Sequence, residues 1–149
     1  MVFIIWLLIP YTSLALNLLI IFFMKKRLTY REIYISWFVI ALINLSSDVV
    51  LSLYFKLYEL GESGIQLSVH LLELTLGASY GIIFLNFMPQ HPFHFILYSA
   101  VWLVYSLLFE ILMIRVNFIN EYDWSLWLSG LYYILCFWFL RWHLRFIRM

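Results

Sequence analysis

The chain has 149 residues, of which 66% are hydrophobic, 21% aromatic and 11% charged, with a net charge of +1. Soluble domains run at roughly 45–50% apolar and 25% charged, and no water-soluble fold could hide this much apolar surface. Five membrane segments of about 20 residues would take up most of the length, which excludes a soluble catalytic domain within these residues and makes nucleic-acid binding an unexpected activity.

Five apolar runs follow in chain order: Val2–Phe23, Ile33–Phe55, Ile65–Met88, Phe93–Ile114 and Trp124–Leu140. The first four are long enough to cross a hydrocarbon core of about 30 Å, and the fifth is at the short limit with Trp142 and the arginines after it as an anchor. The expected fold is therefore an all-α bundle of five transmembrane helices forming one domain. The first run has no basic residue before it and is too long for a signal peptide, so it reads as a retained anchor. Pro89 and Pro92 punctuate Met88-Pro89-Gln90-His91-Pro92, a tight turn that makes helices three and four an antiparallel hairpin. His91 and His94 flank this turn at headgroup level.

Charge distribution gives the orientation. Lys25, Lys26, Arg27, Arg31, Arg141, Arg145 and Arg148 fall on one side of a five-span layout, against Lys56 and Arg115 on the other. Basic loops stay cytoplasmic, so the N-terminus is expected outside and the C-terminus inside. Glu59, Glu62, Glu121 and Asp123 then lie outside. Trp6, Tyr54, Tyr58, Tyr122, Trp124 and Trp127 are expected as outer interface anchors, and Tyr30, Tyr34, Trp37, Trp138 and Trp142 as inner ones.

At 100° per residue, the few polar residues of each run gather on one face. These faces carry Pro10, Ser13 and Asn17; Asn44, Ser47, Asp48 and Ser52; His70, Glu73, Gly77 and Gly81; Ser99, Ser106 and Glu110; and Ser125, Ser129, Tyr133 and Cys136. Lipid offers no polar partner, so the faces should turn inward. Gly77 and Gly81, spaced four apart, suit close helix packing.

Charged residues inside a membrane usually face a partner or a watery cavity, which makes the acids the informative positions. At 1.5 Å per residue, Asp48 lies roughly 10 Å, Glu73 about 12 Å, His70 about 7 Å and Glu110 about 6 Å from the outer end. Together with Asn44, these are the candidate ligand- or ion-binding residues of an outward-leaning pocket. Three carboxyls and an imidazole could share protons, take a small cationic ligand, or bind a metal, although no spacing fixes the metal or any cofactor. Alternatively they are packing elements, with Glu110 reaching the outer interface or pairing with Arg115. Cys136 is expected as a small core residue. No GxSxG, HExxH, P-loop or GxGxxG motif is present, so the expectation leans away from an enzyme. It favours a transporter or sensor component. The rival readings are a structural subunit of a membrane complex and a metal-dependent membrane enzyme. So short a chain is expected to work as a homo-oligomer or beside a larger membrane partner.

The stretches Arg31-Glu32-Ile33-Tyr34-Ile35-Ser36-Trp37, Phe109-Glu110-Ile111-Leu112 and Tyr122-Asp123-Trp124-Ser125-Leu126-Trp127 resemble an uncharacterised family of small polytopic membrane proteins from spore-forming Gram-positive bacteria. The resemblance implies a bacterial plasma-membrane location and a similar helix layout, and it transfers no catalytic residue.

Overall fold

The computed structural model describes residues 2–60, 67–121 and 125–149; Glu62, Tyr122, Asp123 and Trp124 lie outside them. Helix α1 (Val2–Phe23) holds Pro10 within it. At 1.5 Å per residue, 22 residues give about 33 Å, enough for the hydrocarbon core. Helix α2 (Tyr30–Asp48) begins three residues before the apolar run, because Thr29 and Glu32 form a capping box. The Thr29 side chain accepts from the Glu32 amide at 3.2 Å, and the Glu32 carboxylate accepts from the Thr29 amide at 2.8 Å. Two of the donors left over at a helix start are thereby satisfied.

At Asp48 the winding changes. Residues Val49–Tyr54 form a π-helical segment, with the Phe55 amide donating to the Val50 carbonyl five residues back. Lys56 then adopts φ 54°, reversing the chain into strand β1 (Tyr58–Leu60). Helix α3 (Leu67–Phe87), helix α4 (Pro92–Arg115), strand β2 (Ile119–Glu121) and helix α5 (Leu126–Arg148) complete the order. Asn117, at φ 58°, makes after α4 the turn that Lys56 makes after the π segment. Asparagine tolerates this left-handed region better than lysine does. The two strands pair antiparallel, Tyr58 opposite Glu121 and Leu60 opposite Ile119. This ribbon was not expected from the sequence; it ties the α2–α3 connection to the α4–α5 connection.

The helices share two common ends. At the ribbon end, Trp6 meets Phe118 with ring centres 5.7 Å apart, and the Tyr11 hydroxyl donates to the Ser68 carbonyl at 3.2 Å. At the opposite, basic end, the Asn86 amide oxygen accepts from the Arg27 amide at 2.7 Å and its nitrogen donates to the Lys25 carbonyl at 3.2 Å. Arg148 closes the same end by pairing with Glu32 at 2.6 Å. All five helices therefore run the length of an all-α bundle. Helix α1, α2 with its π extension, α3 and α4 are long and apolar enough to cross a membrane. Helix α5 is as long but more polar, and it traverses the same thickness.

Helix α3 is central, packed against both α1 and α2, while α4 pairs with α5. Phe84 of α3 is the hub: it stacks on Phe137 of α5 at 4.8 Å and meets Phe95, Tyr98 and Trp102 of α4 edge-on or tilted. Large side chains such as Phe22, Leu16, Val101, Leu108 and Leu135 face outward, as a bilayer-embedded bundle requires.

Two expectations about the ends are corrected. Helix α5 continues eight residues past Leu140, because Arg141 is buried with partners and His143 and Leu144 are buried after it. Trp6 is buried against Phe118 and is not an interface anchor. Tyr30, Tyr34, Tyr54, Trp127, Trp138 and Trp142 are exposed, as anchors should be.

Candidate functional site

Several residues of the predicted polar stripes pair across helices, while Ser99 Oγ is buried without a hydrogen-bond partner among the described residues. Asn17 of α1 donates to the Ser79 hydroxyl at 3.0 Å, Ser13 shares a hydrogen bond with Tyr80, and Tyr132 donates to Ser47 at 3.1 Å. Gly77 and Gly81 face α2: a β-carbon on Gly77 would overlap the Asn44 amide, and one on Gly81 would crowd Ile40. Their role is packing within the chain.

Between the α2–α3 pair and the α4–α5 pair lies a cavity of about 590 Å³. Its floor is the aromatic core around Phe84 and Phe137, and its walls include Asn44, Tyr80, Trp102, Phe109 and Cys136. A mostly apolar cavity of a few hundred Å³ with a small number of polar groups is the ordinary form of a small-molecule or ion compartment.

Acidic residues from α2, α3 and α4 line this cavity, and they are built differently. Glu110 of α4 is 6% exposed and fully partnered: one carboxylate oxygen accepts from Ser129 at 2.5 Å, the other from Tyr133 at 2.8 Å. The structure therefore does not bring Glu110 to the interface or to Arg115; it lines the same cavity as Asn44, Asp48 and Glu73 without joining the close group of Asp48, His70 and Glu73.

Asp48, His70 and Glu73 do come together. His70 and Glu73, three apart on α3, share a face, and His70 Nδ1 is hydrogen-bonded to Glu73 Oε2 at 3.2 Å. Asp48 Oδ2 stands 4.0 Å from the same ring nitrogen. One potential ligand atom from each of the three lies within 4.8 Å of the other two. Asp48 is 4% exposed, yet its Oδ1 is buried without a hydrogen-bond partner among the described residues. An unpartnered buried carboxylate oxygen carries a desolvation penalty of about 1–3 kcal/mol or more.

Tyr58 is the residue that sequence reasoning misplaced. The ribbon carries it back over Asp48 and Glu73, and burial, followed by the nearby Asp48 and Glu73 carboxyls, pushes its phenol ionisation well above the usual range. It belongs to the site and not to the interface. Nothing in a lone tyrosine beyond the end of an apolar run signals this. Tyr132, which reaches Ser47 and lines the cavity beside Cys136, was likewise hidden among the aromatics. Asn44 lines the cavity but its amide abuts Gly77, so its position is explained by packing. His91 and His94 stay exposed at the turn, 5.1 Å apart.

No protein-family model, curated protein or solved structure matches the chain.

Proposed function

We propose that this protein is a cation-binding component of a bacterial plasma membrane, part of a transporter or sensor, in which Asp48, His70 and Glu73 take up a proton or small cation. The single observation that carries this reading is the unpartnered Asp48 Oδ1 within a group of two carboxyls and an imidazole, the two carboxyl residues, Asp48 and Glu73, lining a cavity. The other buried carboxyl of the cavity, Glu110, is by contrast saturated by its neighbours. Intramembrane acids that are neither saturated nor solvated mark ion and proton pathways.

Orientation supports access from outside. Lys25, Lys26, Arg27, Arg31, Arg141, Arg145 and Arg148 gather at the basic end, which the positive-inside rule assigns to the cytoplasm. The acidic group near the ribbon end then opens toward the exterior half of the membrane.

The test is a pH and cation titration of the purified protein, following its thermal unfolding midpoint beside the double variant Asp48→Asn, Glu73→Gln. A midpoint that moves with pH or added cation in the native chain and stays fixed in the variant is the expected result. Identical curves would leave these acids as packing elements and make the protein a scaffold for a larger membrane assembly.

A further inference from the structure

We infer that Asp48, His70 and Glu73 form a site for one divalent first-row transition metal ion. The ion is held by one carboxylate oxygen of each acid and by His70 Nδ1, with its remaining positions toward the cavity. The inference rests on the cation-binding reading above and specifies its cation.

Charge and donor type point to this class of ion. Two carboxylates balance a divalent ion without help from a third group. An alkali ion or an ammonium would use the oxygens and leave the imidazole idle. Yet His70 Nδ1 is the atom on which both carboxyls converge, at 3.2 and 4.0 Å. Imidazole with carboxylate suits manganese through zinc; magnesium and calcium prefer oxygen alone, and copper(I) prefers sulfur.

Geometry agrees. Ligand bonds of about 2.0–2.2 Å place neighbouring donor atoms roughly 3–3.5 Å apart around such an ion. The His70–Glu73 pair already stands at 3.2 Å, fixed by spacing of three on a helix. The Asp48 carboxyl is the part that has to close in. It sits where α2 gives way to the π segment, a form of winding that recurs at functional sites in other helices. The unpartnered, buried Asp48 Oδ1 is the independent sign that this group is built for something beyond its own members. Tyr58, beside both carboxyls, is placed to steady them as an outer partner, as second-layer groups do around metals.

The experiment uses the full chain in detergent, stripped with a chelator and then titrated with Co²⁺ by visible absorption and with Zn²⁺ or Mg²⁺ by equilibrium dialysis. One Zn²⁺ or Co²⁺ per chain is expected, with Mg²⁺ at least tenfold weaker. Asp48→Asn, His70→Gln and Glu73→Gln should each weaken Zn²⁺ binding roughly 10–100-fold or more, while Glu110→Gln, whose carboxylate is held by Ser129 and Tyr133, leaves it unchanged. A gain-of-signal variant guards against loss through misfolding: His70→Cys should add an intense thiolate-to-cobalt band that the native chain, whose one cysteine is Cys136, does not show. Failure of the native chain to retain Zn²⁺ or Co²⁺, or equal retention in His70→Gln, overturns the inference. If metal binding is absent while the midpoint still moves with pH or with a monovalent cation through Asp48 and Glu73, only the metal assignment falls. If both signals are absent, the cation-binding reading falls with it.

Discussion

At the basic end Arg141 is 7% exposed, and its guanidinium donates to the Gln90 carbonyl at 3.0 Å while lying 4.3 Å from the centre of the Phe95 ring. At the ribbon end Asp48 is buried as deeply, and one of its oxygens has no partner among the described residues. Burial alone therefore does not distinguish a structural charge from a functional one; saturation does. Arg141 fastens α5 to the α3–α4 turn, and its removal would leave the Gln90 carbonyl without this donor and an open space over Phe95. Asp48 fastens nothing with its free oxygen, and the protein carries the penalty at the edge of a cavity. Function is often where such a local deficit is tolerated.

Substitutions can break this comparison or sharpen it. The largest effect is expected from Arg141→Ala, which removes a charge-assisted hydrogen bond and a cation–π contact together. Unfolding in mixed detergent should show a loss of about 3 kcal/mol. Next comes Gly77→Ala, where the added methyl overlaps the Asn44 amide; about 2 kcal/mol is expected by the same measurement. Asn44→Ala in the Gly77→Ala background should recover much of it, since the clash is with that side chain. Asp48→Asn has the opposite sign: without added cation the variant should be equal to the native chain or more stable by up to about 1 kcal/mol, because a buried charge with an unpartnered oxygen is removed. The smallest effect belongs to Arg148→Gln. Its pair with Glu32 is partly exposed, so the loss should stay under about 1 kcal/mol and fade in high salt. A large loss for Asp48→Asn, or none for Arg141→Ala, would erase the distinction between the two ends.

Much of this architecture was legible in the sequence, because lipid demands long apolar runs and gathers polar residues on one face. Asn17, Ser47, Ser129 and Tyr133 all turned inward and found partners as the periodicity implied. Three features were not legible, each for a physical reason. The π segment after Asp48 has ordinary helix-compatible residues, so the run from Ile33 to Phe55 reads as one α-helix. The ribbon depends on three-residue strands and on two left-handed residues, too little sequence for a period-two pattern. The extension of α5 was masked because an arginine at a membrane edge reads as a headgroup anchor, whereas Arg141 is satisfied by a carbonyl from a distant turn.

The candidate site was legible in part. Depth along the helices correctly grouped Asp48, His70 and Glu73, since all three lie within the turns nearest the ribbon. Depth also placed Glu110 with them; it lines the same cavity as Asp48 and Glu73 but stands outside the three-residue group. Similar depth brings residues to one level of a bundle, but rotation decides which partners they meet, and Glu110 meets Ser129 and Tyr133 of its neighbouring helix.

The central claim, that the ribbon end holds an unsaturated cation site, is tested most directly by measuring Asp48→Asn and the native chain side by side, first free of added cation and then with it. The account predicts a reversal: the variant matches or exceeds the native chain without cation, and the native chain becomes the more stable once cation is added. A variant that is less stable under both conditions by the same margin would contradict it, and would make Asp48 a structural residue of the same kind as Arg141.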